Sequence, residues 1–393
     1  MLPYLHYFGR ATAAKALILL FFSLPLCAQE QTPPPPPSST KPQQAPAEAG
    51  GPTGDIGPII VPKKGEEKPA PPPPTKPQKI EGMPEYSIHV NTALVSVPVI
   101  VTTKDGQFIP HLQENNFKVY EDGTEQKITK FEQVSNAPIT AVLLVEFAST
   151  NYSFMADALR ASYTFADSLK KNDWVAVISY DMRDYILTDF TQDKNAVFGA
   201  LNSLRIPGFS ETNVFDALYD TLDRVNSIDG RKYIILIGSG RDTFSRLTYD
   251  KIMKKIKDTP DVTIFTISTG EIWRMWVEAN AGMNPNVQMA MMDYLQADNE
   301  MNTFAKMTGG RWFKPRFEGE LPEIFRDIAS DIRNEYVISY HPTNSNLDGT
   351  YRKLKVDVVG PDGKALKVKD QKGKDVKYNV ISREGYTAKH TVE

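Results

Sequence analysis

The chain has 393 residues, of which 41% are hydrophobic and 24% charged, with a formal net charge of -3. That is enough apolar sequence to bury sizeable cores and enough length for two domains with appendages. The charge balance excludes bulk attraction to nucleic acid or anionic membranes, and the single cysteine, Cys27, excludes a disulfide framework.

Residues 1–28 read as an export signal. Arg10 and Lys15 precede the apolar run ALILLFFSLPL, which is too short to span a bilayer, and Ala28 offers a small residue for cleavage before Gln29. An uncleaved anchor and a lipid-modified Cys27 are the alternatives. Cleavage would leave no cysteine, which fits an exported bacterial envelope protein, periplasmic or extracellular, with no stable membrane span. Residues 29–85 are proline-rich, as in TPPPPPSST and KPAPPPPTKPQK. They bury too little apolar surface to fold and read as a disordered, semi-rigid linker, with a ligand for a proline-binding domain as the sharper alternative.

Residues 86–136 predict a small β-unit. HVNTALVSVPVIVTT alternates, and Asp105-Gly106 and Asp122-Gly123 suit tight turns between strands. From residue 137 to 334 the rhythm becomes strand, helix, strand, helix. ITAVLLV, WVAVISY, KYIILIG and VTIFTIST are strands, DYILTDFT is an edge strand, and NAVFGALNSL, NVFDALYDTL, LTYDKIMKKIK and LPEIFRDIASDIRNEY are helices. Continuous Val/Ile/Leu strands between amphipathic helices predict an α/β fold with a doubly wound, mostly parallel sheet. Residues 271–300, with Trp273, Trp276 and five methionines, interrupt the repeat as an insert. It reads as packing on the sheet edge, or as a flexible Met-rich recognition surface. Residues 335–393 return to β and are expected to pack beside the N-terminal β-unit. The basic stretch KALKVKDQKGKDVK reads as a solvated hairpin.

In such a sheet ligands bind beyond the carboxyl ends of the strands. Three stretches meet that description: Glu146-Phe147-Ala148-Ser149-Thr150, Gly208-Phe209-Ser210-Glu211-Thr212 and Gly238-Ser239-Gly240-Arg241-Asp242. Together with FAKMTGGRWF, EYVISYHPTN and the closing REGYTA, they give the chain from about residue 86 onward its resemblance to the von Willebrand factor A domain. Among such domains it is most similar to the acidobacterial VWFA-related proteins. The resemblance implies a Rossmann-type fold and a metal-ion-dependent adhesion site of the form Asp-x-Ser-x-Ser, Thr, Asp. The corresponding residues here are Glu146, Ala148, Thr150, Thr212 and Ser239. Ala148 brings no oxygen and Ser239 removes a charge. Glu146, Thr150, Thr212 and Ser239 therefore form a degenerate metal site with no cofactor or only weakly held Mg²⁺. Thr212 as a helix N-cap and Ser239 as a turn residue are the metal-free alternatives.

Catalysis is not expected. Gly238-Ser239-Gly240 lacks the full nucleophile elbow, because Ile237 precedes Gly238. No histidine lies between Ile139 and Asn334, and the acids Asp327 and Asp331 read as a solvated helix face. The expected function is an exported, non-enzymatic protein-binding or adhesion module. It would contact a protein partner, not nucleic acid, through Glu146, Ser149, Thr150, Glu211, Thr212 and Asp242. A Mg²⁺-dependent adhesin with rearranged ligands, drawing on Glu211 or Asp242, and a serine hydrolase using Ser239 are the rivals.

Overall fold

The computed structural model describes residues 94–135, 138–149, 162–204, 208–280, 285–369 and 373–388. The segments read above as an export signal and a linker, and Thr150, lie outside the described residues. The first strands are β1 (Val95–Thr103), β2 (Phe117–Glu121), β3 (Thr124–Gln126) and β4 (Ile128–Ser135). The β2–β3 hairpin turns at Asp122 and Gly123, with φ of 48° and 85°. Two successive left-handed residues match the right-handed twist of the strands, which is why Asp-Gly serves here.

The middle of the chain builds a six-stranded sheet. Its strands are β5 (Thr140–Glu146), β6 (Trp174–Tyr180), β7 (Asp184–Thr191), β8 (Lys232–Gly238), β9 (Val262–Ser268) and β10 (Trp312–Phe313), in the order β10-β9-β8-β5-β6-β7. All neighbours run parallel except β6 and β7, so β7 is an antiparallel edge. The helices are α1 (162–168), α2 (Lys194–Ser203), α3 (Val214–Asn226), α4 (Tyr249–Asp258), α5 (Gly270–Asn280), α6 (Pro285–Thr308) and α7 (Leu321–Arg333). Ala141, Leu143 and Val145 of β5 pack with Phe165, Val197, Phe325 and Ile328, so α1, α2 and α7 cover one face. Val142 and Leu144 pack with Leu218, Ile252 and Phe304, so α3, α4 and α6 cover the other. Burial on both faces is what the unbroken apolar runs required.

The first two parallel strands, β5 and β6, grow the sheet in one direction. The chain then crosses back, and β8, β9 and β10 grow it in the other. The reversal lies between β5 and β8, where Val145 pairs with Ile237. A crevice opens at such a switch point because the connections diverge to opposite faces.

The Met-rich stretch 271–300 spans α5 and the first half of α6, which runs unbroken for 24 residues. The last half of α6 buries Met301, Phe304 and Ala305, while Met289 and Met292 in its first half are 70% and 66% exposed. One expectation needs correcting: Asp327 and Asp331 do not form a solvated face. Asp331 is buried and accepts from Arg311 Nη1 at 2.8 Å, and Asp327 approaches Arg311 Nη2 at 3.5 Å. Burial pushes the Asp331 carboxyl up to about 6, against the opposing pull of Arg311.

The tail forms β11 (Asn334–Tyr340), β12 (Tyr351–Val358), β13 (Val368–Lys369), β14 (Asp375–Val376), β15 (Tyr378–Ser382) and β16 (Gly385–Thr387). One sheet has the order β15-β1-β11-β4 and another β16-β12-β2-β3. Val97, Val99, Phe117, Val119, Tyr336, Ile338, Val356 and Val358 draw both into one core. Buried Glu121 accepts from Tyr340 Oη at 2.6 Å, Tyr386 Oη at 2.9 Å and Arg352 Nη1 at 3.2 Å. A buried carboxylate is tolerated when donors surround it in this way.

Candidate functional site

The three stretches singled out in the sequence meet at the switch point. Glu146, the last residue of β5, is fully buried, and its Oε2 accepts from the Ser239 backbone N–H at 2.7 Å and the Ser239 hydroxyl at 2.8 Å. Gly238 makes this possible, because a Cβ there would lie 2.6 Å from Glu146 Oε2 and 2.7 Å from Tyr180 Oη. The Ser149 N–H donates to the Phe209 carbonyl at 2.8 Å and joins the first stretch to the second. The second and third are joined at Thr212. Its hydroxyl donates to the Arg241 carbonyl, its N–H donates to Thr243 Oγ1 at 2.9 Å, and its carbonyl accepts from Thr243 N and Phe244 N.

Thr212 is not the cap of α3. The N-cap is Asn213, without a side-chain cap bond. The first turn is served from the loop after β8: Phe215 N donates to Asp242 Oδ1 at 3.4 Å and Asp216 N to Ser245 Oγ at 3.1 Å. Asp216 answers by accepting from the N–H groups of Arg246 and Leu247, both at 3.0 Å. A helix needs its first N–H groups satisfied, and here a loop distant in sequence does it.

Of the residues expected to face a partner, Ser149 and Glu211 are exposed, whereas Glu146 and Thr212 are buried and act as fastenings between loops. Asp242 borders a cavity of about 280 Å³ together with Phe215, Arg241, Tyr249, Ala297 and Glu300. Burial raises the carboxyl pKa of both Asp242 and Glu300. Several residues make contacts that the sequence did not assign. Phe209 stands 41% exposed in the loop before α3; an aromatic flanked by Gly208 and Ser210 was the available signal. Arg241 lies over the Tyr294 ring at 5.0 Å, and Tyr294 stacks on Trp273 at 4.4 Å. Asp298 of α6 accepts from Arg274 of α5 at 2.6 Å and from the Ser268 hydroxyl at the end of β9. α5 and α6 are thereby pinned to the strand-end side of the sheet.

The fit to a divalent cation follows from where these oxygens point. Mg²⁺ takes six oxygens in near-octahedral array. Glu146 Oε2 and the Ser239 hydroxyl are bonded to each other, the Thr212 hydroxyl is directed at a carbonyl, and Ala148 has no oxygen to give. Among the described residues no group of three or more His, Cys, Asp or Glu is placed to hold a metal. As arranged, the described donors do not fit Mg²⁺. The Ser239 hydroxyl, bonded to Glu146 at 2.8 Å, belongs to a residue only 1% exposed and is therefore not presented at the surface.

No protein-family model matches the chain, and no curated protein matches its sequence. Among solved structures it is similar to a von Willebrand factor type A protein from Catenulispora acidiphila, at 13% identity and a TM-score of 0.39, covering 70% of this chain and 75% of that one. It is also similar to the vWF domain of the type V pili tip protein Mfa5 from Porphyromonas gingivalis, at 13% identity and a TM-score of 0.38, over 51% of this chain and 96% of that one. The PilB minor pilin from Streptococcus sanguinis matches at 11% identity and a TM-score of 0.37, over 51% of this chain and 62% of that one. The α/β class assigned above rests on this chain's own strand order and register. Among the described residues no helix is long and apolar enough to cross a membrane.

Proposed function

We propose that this chain is an exported, non-enzymatic protein-binding module of the von Willebrand factor A type, whose strand-end face grips a protein partner without a metal. The observation that carries the reading is the Glu146–Ser239 fastening. It commits to the fold two of the oxygens that a cation at this site would draw on. What the face offers outward is Ser149, Phe209 and Glu211, and Met289 and Met292 are exposed on α6. An aromatic anchor beside polar groups and adaptable thioethers is a composition suited to a protein surface. The degenerate metal site, the cleaved signal and display on the proline-rich spacer belong to the same proposal. A location in the periplasm or outside the cell rests on the charged and apolar pattern of residues 1–28.

A crosslinking pull-down from the native envelope tests it. Capture is expected to survive EDTA and to weaken with Phe209→Ala and Glu211→Lys. Loss of capture in EDTA, or capture indifferent to both substitutions, overturns it.

One observation favours the metal-dependent alternative. Three buried oxygens at this end of the sheet, Tyr180 Oη, Asn213 Oδ1 and Thr269 Oγ1, have no hydrogen-bond partner among the described residues. A rearranged ligand set would use them, and loss of capture in EDTA is its signature.

A further inference from the structure

The exposed methionines of α6 and the cavity beside Asp242 share one stripe of that helix. Met289, Met292, Asp293, Gln296 and Glu300 follow one another at i, i+3, i+4, i+7 and i+11, the spacing of a single helix face. Met289 and Met292 stand far out of the protein, and Leu295 on their flank is also exposed. Further along the same stripe, Asp293, Gln296 and Glu300 line the cavity of about 280 Å³. An apolar surface and an acidic cavity are therefore contiguous along α6.

The opposite wall comes from Phe215 at the start of α3, Arg241 and Asp242 after β8, and Tyr249 at the start of α4. The Phe215 and Tyr249 rings lie 6.1 Å apart. The cation in this lining is already engaged: the Arg241 guanidinium lies over the Tyr294 ring at 5.0 Å, and its Nη2 is 3.8 Å from Asp293. Asp242 Oδ1 accepts from the Ser245 hydroxyl and from Phe215 N, and Glu300 Oε1 accepts from Gln296 Nε2 at 2.9 Å. Among the described residues neither carboxylate has an ion pair.

The two carboxyls also sense each other. Burial raises the Glu300 pKa and the charge of Asp242 adds to the rise, while the charge of Glu300 bears on Tyr249. Glu300 is thus turned from α6 toward the wall that holds Asp242 and Tyr249. A cation between the two acids would favour the charged form of both.

We propose that this face of α6 docks a basic and apolar segment of a partner protein, with a Lys or Arg side chain entering the cavity between Asp242 and Glu300 and its apolar neighbours packing on Met289 and Met292. Carboxylates give a cation charge-assisted acceptors, aromatic rings attract it at their faces, and thioethers adapt to the apolar side chains they meet. Charge complementarity selects this occupant, because an acidic segment would bring a third like charge to two unpaired carboxylates. The cavity lies just below the roughly 300–1,000 Å³ of small-molecule pockets, which suits a single inserted side chain. The proposal rests on the protein-binding reading above and adds the chemistry of the partner.

Fluorescence anisotropy of the full chain with three dye-labelled peptides tests it: Ac-Lys-Leu-Lys-Leu-Lys-Leu-amide, its Glu-Leu counterpart and its Lys-Ser counterpart. The Lys-Leu peptide is expected to bind saturably, the Glu-Leu peptide not to bind, and the Lys-Ser peptide to bind several-fold more weakly. Added salt should weaken the Lys-Leu complex. Glu300→Gln should weaken it by about tenfold, and Met289→Ser with Met292→Ser by several-fold. Both changes are at accessible positions of α6, and circular dichroism checks that the helix is kept. The proposal falls if wild type does not bind the Lys-Leu peptide, or binds the Glu-Leu peptide equally well. It also falls if folded Glu300→Gln binds as wild type does, or if the Lys-Ser peptide matches the Lys-Leu peptide. Sedimentation of the chain alone covers the other occupant: self-association lost in Glu300→Gln would assign the face to a second copy and overturn the partner reading. These titrations use neither the native partner nor EDTA, so failure of the pull-down and failure of the peptide are separate results.

Discussion

Replacing Ser239 by alanine isolates the fastening on which the functional reading depends. The substitution removes the 2.8 Å bond from the Ser239 hydroxyl to Glu146 and the 3.3 Å bond that the hydroxyl accepts from Arg241 N. The 2.7 Å bond from the Ser239 backbone N–H to Glu146 remains. A hydrogen bond to a charged group contributes about 1.5–3 kcal/mol, and the volume lost is a single oxygen atom. The expected cost is therefore about 2–3 kcal/mol. For a domain of this size, at the lower end of about 2–4 °C per kcal/mol, that is a fall in Tm of roughly 4–6 °C. Urea unfolding gives the same quantity as a shift in midpoint at constant m-value. Exposed Ser149→Ala is the control and should stay within about 0.5 kcal/mol of wild type. The second arm is metal. A cation that binds the native state raises its stability by mass action, so the wild-type midpoint should be equal in EDTA and in excess Mg²⁺. If Ser239→Ala is as stable as wild type, the fastening has no energetic weight. If Mg²⁺ stabilises wild type and the substitution abolishes that effect, Ser239 is a ligand instead.

Other positions give independent expectations. Gly240 has φ of 73°, and a Cβ there would lie 2.5 Å from Met301 Cγ; Gly240→Ala should cost about 2 kcal/mol or more, read by urea midpoint. Asp298→Ala strips the Ser268 hydroxyl and Arg274 of a buried acceptor. It should cost about 3–5 kcal/mol and speed amide exchange in the first half of α6, where unchanged exchange would refute the pinning. Asp331, raised from 3.8 to about 6 when folded, holds its proton in the native state across a range where the unfolded chain releases it. Stability should therefore fall by roughly 3 kcal/mol as pH rises from about 4 to about 6 and show no further loss from this group above that. The difference between wild type and Asp331→Asn should carry that slope; a pH-independent difference would show that Asp331 does not titrate there.

Adjacency of the two strand tips was readable in ITAVLLV and KYIILIG because a short apolar run rich in β-branched residues, between amphipathic helices, marks a strand covered on both faces. Two such strands on either side of a crossover place their carboxyl ends together. The partner of each polar side chain at those tips was not readable. Glu146 reaches Ser239 because Val145 pairs with Ile237, and no local pattern encodes that register. The hydroxyl of Thr212 had two local readings, ligand or cap. The structure turns it to the Arg241 carbonyl because Asp242 and Ser245 already serve the start of α3. Asp327 and Asp331 failed for the same reason. Four residues apart they share a helix face, and periodicity cannot say that Arg311, from the turn before β10, lies over that face.

The glycines of the Thr308-Gly309-Gly310 sequence show the other side of this limit. A glycine pair after a helical stretch is a local stop signal, and Gly309 ends α6 with φ of 81°. Their second role, giving the Ser382–Arg383 backbone room to approach, depends on a strand more than seventy residues later. Secondary structure here follows from near neighbours in sequence. The polar contacts at the strand tips, such as Glu146 with Ser239, arise where distant segments meet, and only the folded register brings them into range.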